Sequence, residues 1–524
     1  MSDISLPPEI LRQIVTIFED DYKTLYSCLL VNRYWCCNVV PILWRKMPDN
    51  FPRIATSSWA YKFIQAYINC LSTDTRAQLG LTESDQQKES SVLLYPTYLK
   101  VLDFQRLSDA IVSWCIKLNR NIYDKKTRRG SHYGESEKKL KFLEVIVKLL
   151  HTSKARIQKV IFVLSKPINV VEKQPFLRIV TNLVEQSQTE DSLLGKLREV
   201  HFSQYVFMIQ EVFKLFARHC NNFQCLKLKN IVLNKRARRP IEGLLQLIQA
   251  AAPNLKEITC DQFGRHFMNN NLEIWPHISS QLSVSLRKIT IIPAWLSNVD
   301  YLDFLLQFKN LETLEIIGAH ERRYITSAYE SKRFPSLKNF IHRNSSKDIY
   351  SNIDLYFIIL SLSQNTLQSL ILDSIVFAHN QRFLNHLQSL VTLTELTIKI
   401  DEEVHCLQNF LQSLEQLHTL KFLRINGIER NDPPVKFNTP RLFPAVLTQF
   451  ELSTRFVFTV DSFTAFLGYF EKLPRLIMFT VYPPTEKRLL DVMKNLALGR
   501  GETIHGFGCS HIDNGWKLIW ISLD

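Results

Sequence analysis

A short apolar pattern that returns at nearly constant intervals restricts the fold of this chain more than any other feature. In this pattern an apolar anchor is followed by apolar residues three and five positions later. It occurs eleven times from residue 197 onward, with steps of 25–32 residues between anchors, which predicts a repeat architecture rather than three or four separate domains. The anchors are Leu197, Phe223, Leu255, Leu286, Leu311, Leu337, Leu367, Leu393, Leu420, Leu447 and Leu476, with earlier candidates at Leu99 and Ile157.

The stretches between these patterns have helical periodicity, as in 301–308, 355–362 and 381–390. One strand and one helix cannot bury their apolar faces alone, so each unit must stack on the next. The unit resembles the leucine-rich repeat, which implies an α/β fold with parallel strands on a concave face and helices on a convex face. The asparagine expected after the strand is clear only at Asn230, so we expect an irregular solenoid. The tail at 516–523 is predicted to be a final strand that caps the array.

Residues 6–44 are a different kind of sequence, in which 23 of 39 residues are apolar. A first helix is predicted after Pro7 and Pro8, because a helix tolerates a missing N–H in its first turn. A second covers about residues 23–31, and Asn32 is predicted to cap a third helix that Pro41 ends. Three short helices cannot shelter so many large side chains, so we expect another surface to cover the excess.

Three short motifs in this region resemble an F-box: LPPEILRQI at 6–14, SCLLVNRYW at 27–35 and PILWR at 41–45. The resemblance implies a helical module that binds a Skp-type adaptor, and through it a cullin–RING ubiquitin ligase, without any catalytic residue. By motif position, the residues assigned to adaptor contact are Leu6, Pro7, Ile10, Leu11 and Ile14. Those assigned to packing the module and extending its edge are Leu30, Val31 and Trp35. The chain departs from many family members at Asn32 and at Cys36-Cys37, but neither departure disturbs the apolar face.

The sequence predicts three parts. An F-box-like helical module occupies 1–46, an irregular joint 47–150, and a leucine-rich-repeat array with a C-terminal cap 151–524. The joint contains two polar, charge-rich stretches without periodicity, at 72–91 and 124–139, which we expect to be mobile insertions. It also contains the candidate first repeat near residue 99.

Strand side chains alternate, so the second, fourth and sixth residues after each anchor are expected on the open face of the sheet, away from the helices. The bases there are Lys227, Lys229, Lys288, Arg343, Lys399 and Arg424, and the acids are Glu199, Glu257, Asp261, Glu315, Asp373, Glu395 and Glu451. A nucleic-acid groove would need one sign of charge and stacking aromatics, so this mixed face favours a polypeptide ligand. By residue type, its best anchors are Phe422, Arg424, Met478 and Tyr482.

Several classes of function are disfavoured by the sequence. No phosphate-binding glycine loop, zinc-protease motif or serine-hydrolase motif occurs, and the histidines are scattered, so we expect no catalytic site, metal site or cofactor. No apolar run reaches the roughly 18 residues of a membrane span, and the N-terminus lacks a basic-then-apolar leader. The ten cysteines include no CxxC pair, which fits reduced thiols in the cytoplasm or nucleus.

Together these patterns predict a substrate-recognition subunit of an SCF-type ubiquitin ligase, cytoplasmic or nuclear, acting in ubiquitin-dependent protein degradation. It would bind a Skp-type adaptor through the F-box and an unidentified protein substrate through the repeats. One alternative is a leucine-rich-repeat scaffold without ligase function. Another is a nuclear protein that binds nucleic acid through the basic runs at 125–129 and 235–239. The net charge of +14 favours the nucleic-acid alternative, although basic runs of this kind are also common on solvated loops.

Overall fold

The computed structural model describes residues 6–47, 58–81, 94–117, 133–163, 170–185, 192–203, 209–229, 239–261, 274–292, 300–318, 332–343, 353–372, 381–400, 410, 413–414, 416–427, 446–453, 478–481, 504–512 and 515–522. The chain divides into two compact units, Met1–Ser285 and Leu286–Asp524. In both units helices and short strands alternate along much of the chain, and each unit is described separately below.

The first unit contains most of the helices. These are α1 (Pro8–Ile17), α2 (Tyr22–Leu29), α3 (Arg33–Leu43), α4 (Ser58–Asn69), α5 (Thr73–Gln78), α6 (Phe104–Lys117), α7 (Tyr133–Thr152), α8 (Val170–Glu185), α9 (Ile209–His219), α10 (Arg239–Ala251) and α11 (Ile274–Leu282). Its strands are β1 (Val101–Asp103), β2 (Lys159–Val163), β3 (Glu199–Ser203), β4 (Cys225–Lys229) and β5 (Glu257–Asp261). A 3₁₀ turn at Tyr95–Tyr98 precedes β1.

The second unit contains most of the strands. These are β6 (Lys288–Ile292), β7 (Thr313–Ile317), β8 (Asn339–Arg343), β9 (Ser369–Leu372), β10 (Glu395–Ile400), β11 (Phe422–Gly427), β12 (Gln449–Ser453), β13 (Met478–Val481), β14 (Ile504–Ile512) and β15 (Gly515–Ser522). Its described helices are α12 (Asp300–Leu306), α13 (Ile353–Leu362) and α14 (Gln381–Gln388), in the places where the periodicity predicts them.

The strands confirm the repeat pattern as a structural period. Each of β1–β13 begins two residues after its predicted anchor, including the two early candidates at Leu99 and Ile157. In the first unit β1–β5 pair in parallel in sequence order, and in the second unit β6–β13 do the same. The fold is therefore α/β with a solenoid-like repeat of parallel strands, as predicted.

A backbone hydrogen-bond ladder fixes the register of neighbouring repeats. The residue after each anchor donates its N–H to the carbonyl of the equivalent residue one repeat earlier. Gln158 donates to Lys100 and Arg198 to Gln158, both at 2.8 Å, and in the second unit Gln368 donates to Lys338 at 2.7 Å. Because a one-residue slip would turn the apolar set to the wrong face, the ladder and the apolar pattern specify the same register.

A stack of phenylalanine rings connects the cores of the first three repeats. Phe104, Phe162 and Phe202 occupy the last apolar position of the first three repeats. The ring centroids of Phe104 and Phe162 are 4.8 Å apart and those of Phe162 and Phe202 are 5.5 Å apart, with nearly parallel planes. All three side chains are buried, so they contribute to the core on the helix side of the sheet.

The C-terminal strands differ from the parallel arrangement. The predicted strand at 516–523 is present as β15, but it runs antiparallel to both β13 and β14. Only two residues separate β14 from β15, and a connection this short joins antiparallel strands, since parallel ones need a long crossover. The strand β14 has no counterpart among the predicted elements.

The stretch at 47–150 is more regular than we expected. Its described residues form α4–α7, a 3₁₀ turn and β1, and α5 and α7 take up parts of the two polar stretches at 72–91 and 124–139. Ser72 caps α5 with its side-chain oxygen, which accepts from the Thr75 N–H at 3.3 Å. The Arg76 side chain also donates to the Ile68 and Asn69 carbonyls at 3.1 and 2.8 Å, so capping and side-chain hydrogen bonds favour order in α5 despite its polar composition. Residues 82–91 and 124–132, and the basic run at 235–238, lie outside the described residues.

Candidate functional site

The first three helices close around a small core of their own. Five side chains form it, each at most 7% exposed: Leu11, Val15, Leu25, Val39 and Leu43. The caps follow the sequence, since the Asn32 Oδ1 accepts from the Trp35 N–H at 2.9 Å at the start of α3. Pro41 does not end α3, which continues to Leu43. It lies near the end of the helix, where the loss of one backbone hydrogen bond costs least.

The outer side of α1 is apolar and uncovered. Ile10, Ile14 and Ile17 follow one another at spacings of four and three residues, so they form one row along the helix. Their exposed fractions are 42%, 36% and 78%, and Leu6 beside them is 41% exposed. Leu11 was assigned to this surface by motif position, but it is completely buried in the core, because it faces the opposite side of the helix. Pro7 is exposed.

A second apolar area lies at the end of α2. Leu30 is 72% exposed and Val31 58%, and Tyr26 one turn earlier is also exposed. The first two therefore extend the edge of the helical module, as the motif implies, but they do not pack its interior. Trp35 has the other role, since its half-buried ring packs against the module core. We call the described region 6–47 the helical module, and the residues Leu6, Ile10, Ile14 and Ile17 its outer row.

The end of the helical module is built into the first repeat. The Arg45 carbonyl accepts from the Lys100 and Val101 N–H groups at 2.8 and 3.1 Å, the same bonds that each later repeat forms with the one before it. Trp44 stacks on Phe63 of α4 with ring centroids 5.0 Å apart, and on Tyr95 at 4.2 Å. These contacts hold the module in a fixed position beside β1.

On the open face of the first unit, the Glu199 carboxylate contacts several neighbouring basic side chains. Glu199 of β3 accepts from Lys227 of β4 at 2.6 Å, from His201 on its own strand at 2.6 Å, and forms an ion pair with Lys159 of β2 at 3.2 Å. Burial alone would raise the pKa of Glu199, but the hydrogen bonds from His201 and Lys227 outweigh it and hold that pKa well below its usual range. Beside it, burial and the Glu199 charge raise the pKa of the Cys225 thiol to about 12, which favours the protonated thiol at neutral pH.

The second unit repeats this arrangement around Glu315 of β7. Arg343 donates to it at 2.9 Å, Thr290 at 3.2 Å, and the Lys288 ammonium lies 3.9 Å away. Between this cluster and β11, the open face carries the half-buried Ile341 and Ile371, which lie opposite each other on β8 and β9.

Two of the predicted substrate anchors lie together on β11. Phe422 and Arg424 are both half-buried, and the guanidinium of Arg424 lies 5.5 Å from the Phe422 ring centroid. The same guanidinium donates to the Glu451 carboxylate of β12 at 2.6 Å. Met478 begins β13, paired with Gln449 of β12, and its side chain lies outside the described residues, as does the whole of Tyr482.

The open face is mixed in charge, but its charges are largely paired with each other. This pairing was not predicted, although the spacing of the charged residues from their anchors indicates it. Lys159 and Glu199 stand two residues after their anchors in consecutive repeats, so the parallel register places them opposite each other. Asp261, the sixth residue after its anchor, departs from the expected pattern, although Lys229 at the same position one repeat earlier is exposed. Asp261 is only 8% exposed and forms an ion pair with Lys229 at 3.6 Å.

Two searches of the described residues were negative. None of their histidine, cysteine, aspartate and glutamate side chains form a group of three that could hold a metal ion. No described helix has the length and apolar character needed to cross a membrane.

Comparison with known proteins finds similar chains among solved structures. No protein-family model matches the chain, and no curated protein matches it. Among solved structures, a chain in the crystal structure of the Rad7 and Elc1 complex in yeast is similar to this one at 15% identity. The alignment covers 70% of this chain and 91% of that one, with a TM-score of 0.32. A similarity at this level carries no information about function.

Proposed function

We propose that this chain is the substrate-recognition subunit of an SCF-type ubiquitin ligase. The helical module is proposed to be an F-box that binds a Skp-type adaptor and, through it, a cullin. The observation that carries the proposal is the outer row, an apolar surface on the same short helix whose opposite side closes the module core. The motif resemblance at 6–14, 27–35 and 41–45 supports the same assignment.

Apolar burial provides the binding energy in this proposal. Each isoleucine of the outer row would contribute about 1–2 kcal/mol when a partner covers it. Leu30 and Val31 would extend the covered area at the end of α2. An uncovered apolar row on so small a module is a surface that a partner stabilises. Leu11 supports the row from within and makes no direct contact with the adaptor in this arrangement.

The attachment of the module to the first repeat supports the proposed mechanism. The chain would bind and position, while the chemistry belongs to the ubiquitin-conjugating enzyme, so no catalytic residue, metal or cofactor is assigned to it. Because Trp44 and Arg45 fix the module beside β1, a substrate bound to the repeats of the first unit would be held at a defined place relative to the adaptor. Such proximity raises the effective concentration of substrate lysines at the conjugating enzyme.

The substrate in this proposal is a protein bound on the open face of the repeats. Phe422 and Arg424 remain candidate contacts, together with Met478 and Tyr482. Because Arg424 already pairs with Glu451, a ligand would add to this pair or exchange it for a new one. The proposal fits a cytoplasmic or a nuclear location equally well.

Adaptor co-purification tests the proposal. The double variant Ile10→Asp/Ile14→Asp places two charges on the outer row, while Val391→Asp places one on an exposed valine of the second unit, which is 60% exposed. We expect the first variant to lose the adaptor and the second to retain it, with unchanged circular dichroism for both. Retention of the adaptor by the Ile10→Asp/Ile14→Asp protein would refute the F-box assignment and favour a scaffold with another partner.

A further inference from the structure

One edge of the sheet in the first unit carries only positive charge. The positions directly before and after the anchor of each repeat lie at the strand N-terminal ends. Across the first five repeats these ten positions hold five bases, four amides, one tyrosine and no acid. The bases are Lys100, Arg156, Lys196, Arg198 and Lys256, which we call the basic edge.

The backbone ladder holds the basic edge in a regular row. Lys100, Arg198 and Lys256 are equivalent residues of the first, third and fifth repeats, and each takes part in the ladder through its backbone. With strands about 4.8 Å apart, the row extends about 20 Å. Lys100 is half-buried and the other four bases are exposed.

Four of the five bases of the basic edge differ in their pairing from the charged side chains of the open face. None of the ion pairs found among the described residues uses Lys100, Lys196, Arg198 or Lys256. Burial lowers the pKa of the Lys100 ammonium, and the nearby charges of Arg156, Arg45 and Lys196 lower it further. Mutual repulsion of this kind is relieved by an anion.

The equivalent positions in the second unit have a different chemistry. There Glu312 lies between two bases, contacting Arg287 and lying 3.8 Å from Lys338. Threonines at these positions bind the preceding repeat, as where the Thr392 hydroxyl donates to the Leu367 carbonyl at 2.8 Å. The same structural positions therefore hold repeats together in the second unit and present unbalanced charge in the first.

We infer that the basic edge binds an extended, acidic segment of a protein partner, rich in aspartate and glutamate. The first, second and fifth repeats each supply one of its bases and the third supplies two, so the charges are distributed along the row, which suits a series of single charges better than one phosphate dianion. Along an extended peptide, side chains on one face recur about every 7 Å, so about six residues span the row. A nucleic acid fits less well, because Glu199 and Glu257 immediately follow the basic edge and would oppose further phosphates.

This inference rests on the proposed function only in taking the partner to be a ligase substrate. Binding of the peptide itself requires no adaptor, so the two can fail independently. The test therefore uses the purified full chain alone, and fluorescence anisotropy with a labelled peptide of about ten residues in which glutamate and serine alternate. The comparison probes are the same peptide with phosphoserine, the same peptide with lysine in place of glutamate, and a single-stranded DNA of similar length.

The variants are matched by position in the repeat. Lys196→Glu/Arg198→Glu reverses two charges of the basic edge, and Lys338→Glu/Lys421→Glu does the same at equivalent exposed positions of the second unit. We expect the first to weaken binding of the glutamate peptide at least about tenfold and the second less than about twofold. Added salt should weaken the native interaction, because the row is exposed. If the reversal variant does not fold, the neutral pair Lys196→Gln/Lys256→Gln replaces it, with a smaller loss expected.

Four results would overturn the inference. They are absence of glutamate-peptide binding by the native chain, equal losses in the two matched variants, a DNA affinity above that for the peptide through the same residues, and a strong preference for the phosphoserine peptide. The third would restore the nucleic-acid reading, and the fourth would assign the row to phosphorylated partners.

Discussion

The helical module and the open face of the sheets differ in which of their surface side chains have partners within the chain. The module buries five apolar side chains and leaves an apolar row of comparable size uncovered on α1. The open face places charged side chains beside one another, and carboxylates such as Glu199 and Glu315 are saturated by donors from the same or neighbouring strands. The module therefore leaves apolar area exposed, whereas the charges of the open face are largely paired within the chain.

The two surfaces are therefore suited to different kinds of binding, the module to a stable contact and the open face to a selective one. Covering the outer row gains apolar burial with little polar penalty, which suits a stable contact. A ligand on the open face must compete with existing ion pairs, so only one that replaces their hydrogen bonds gains net free energy. The basic edge is the exception among the charged surfaces, because its charges are not balanced in this way.

The contrast requires that the helix side of the sheet, and not the open face, supplies most of the free energy of folding of the repeats. Replacement of Phe202 by alanine should lower the free energy of unfolding by about 3–5 kcal/mol, because its ring lies between Phe162 and the edge-on ring of Phe213, 4.9 Å away. Phe422→Ala on the open face should lower it by less than about 2 kcal/mol. Urea denaturation measures both, and equal losses would show that the open face is a second core.

Two adjacent residues of α1 sharpen the distinction within the module. Leu11→Ala should cost about 2–4 kcal/mol of unfolding free energy, because its side chain is completely buried. Ile10→Ala should cost less than about 1 kcal/mol. Denaturation of the two variants side by side measures the difference. A larger loss at Ile10 would mean that the outer row is covered by this chain itself.

The self-satisfied character of the open face can be tested at Glu199. Glu199→Gln should lower the free energy of unfolding by about 1–3 kcal/mol at neutral pH, because it removes a charged acceptor of two short hydrogen bonds. The pKa of this carboxyl is depressed in the folded chain, so its contribution is present above the unfolded value of about 4.3 and is lost as pH falls through the lower folded value. Stability curves of the two proteins should therefore converge in acid. The exposed Glu395→Gln is the control, and an equal effect there would contradict the expectation.

The smallest effect is expected at Arg424. Its guanidinium pairs with Glu451 but is 43% exposed, so Arg424→Gln should change the free energy of unfolding by less than about 1 kcal/mol. The measurement is thermal denaturation at low and high salt, where the difference between the two proteins should shrink with salt. A loss above about 2 kcal/mol would place this pair in the stabilising core and remove it from the candidate ligand surface.

The repeat period was predictable because two constraints coincide. The apolar anchors identify the core face, and the parallel ladder then has a single register, so all thirteen parallel strands begin where the pattern indicates. His342 is an exception to the apolar pattern and shows what the pattern cannot predict. A histidine occupies a core position and is buried, with its Nε2 2.7 Å from the Tyr356 hydroxyl and 3.2 Å from the Gly318 carbonyl. These partners lie in different repeats, and no local pattern identifies them.

The candidate surfaces were predictable only in part, for a related reason. Motif position identified the outer row at Ile10 and Ile14, but it could not decide that Leu11 faces inward, because that depends on how α1 packs against α2 and α3. Charge counting found a mixed open face, but the pairing of Glu199 with Lys227 depends on a rotamer choice across two strands. The basic edge was missed because its residues, apart from the close pair Lys196 and Arg198, are 40–58 positions apart and form a row only when the repeats stack.

The bonds from Lys100 and Val101 to the Arg45 carbonyl have a practical consequence for dividing this protein. A fragment that starts after the helical module would leave both amide groups at a bare strand edge, together with the aromatic rings that Trp44 covers. Such an edge invites pairing with a second molecule, and thus precipitation during purification. Residues 44–47 contact both the helical module and the first repeat, so a soluble fragment of the repeats has to begin upstream of Trp44.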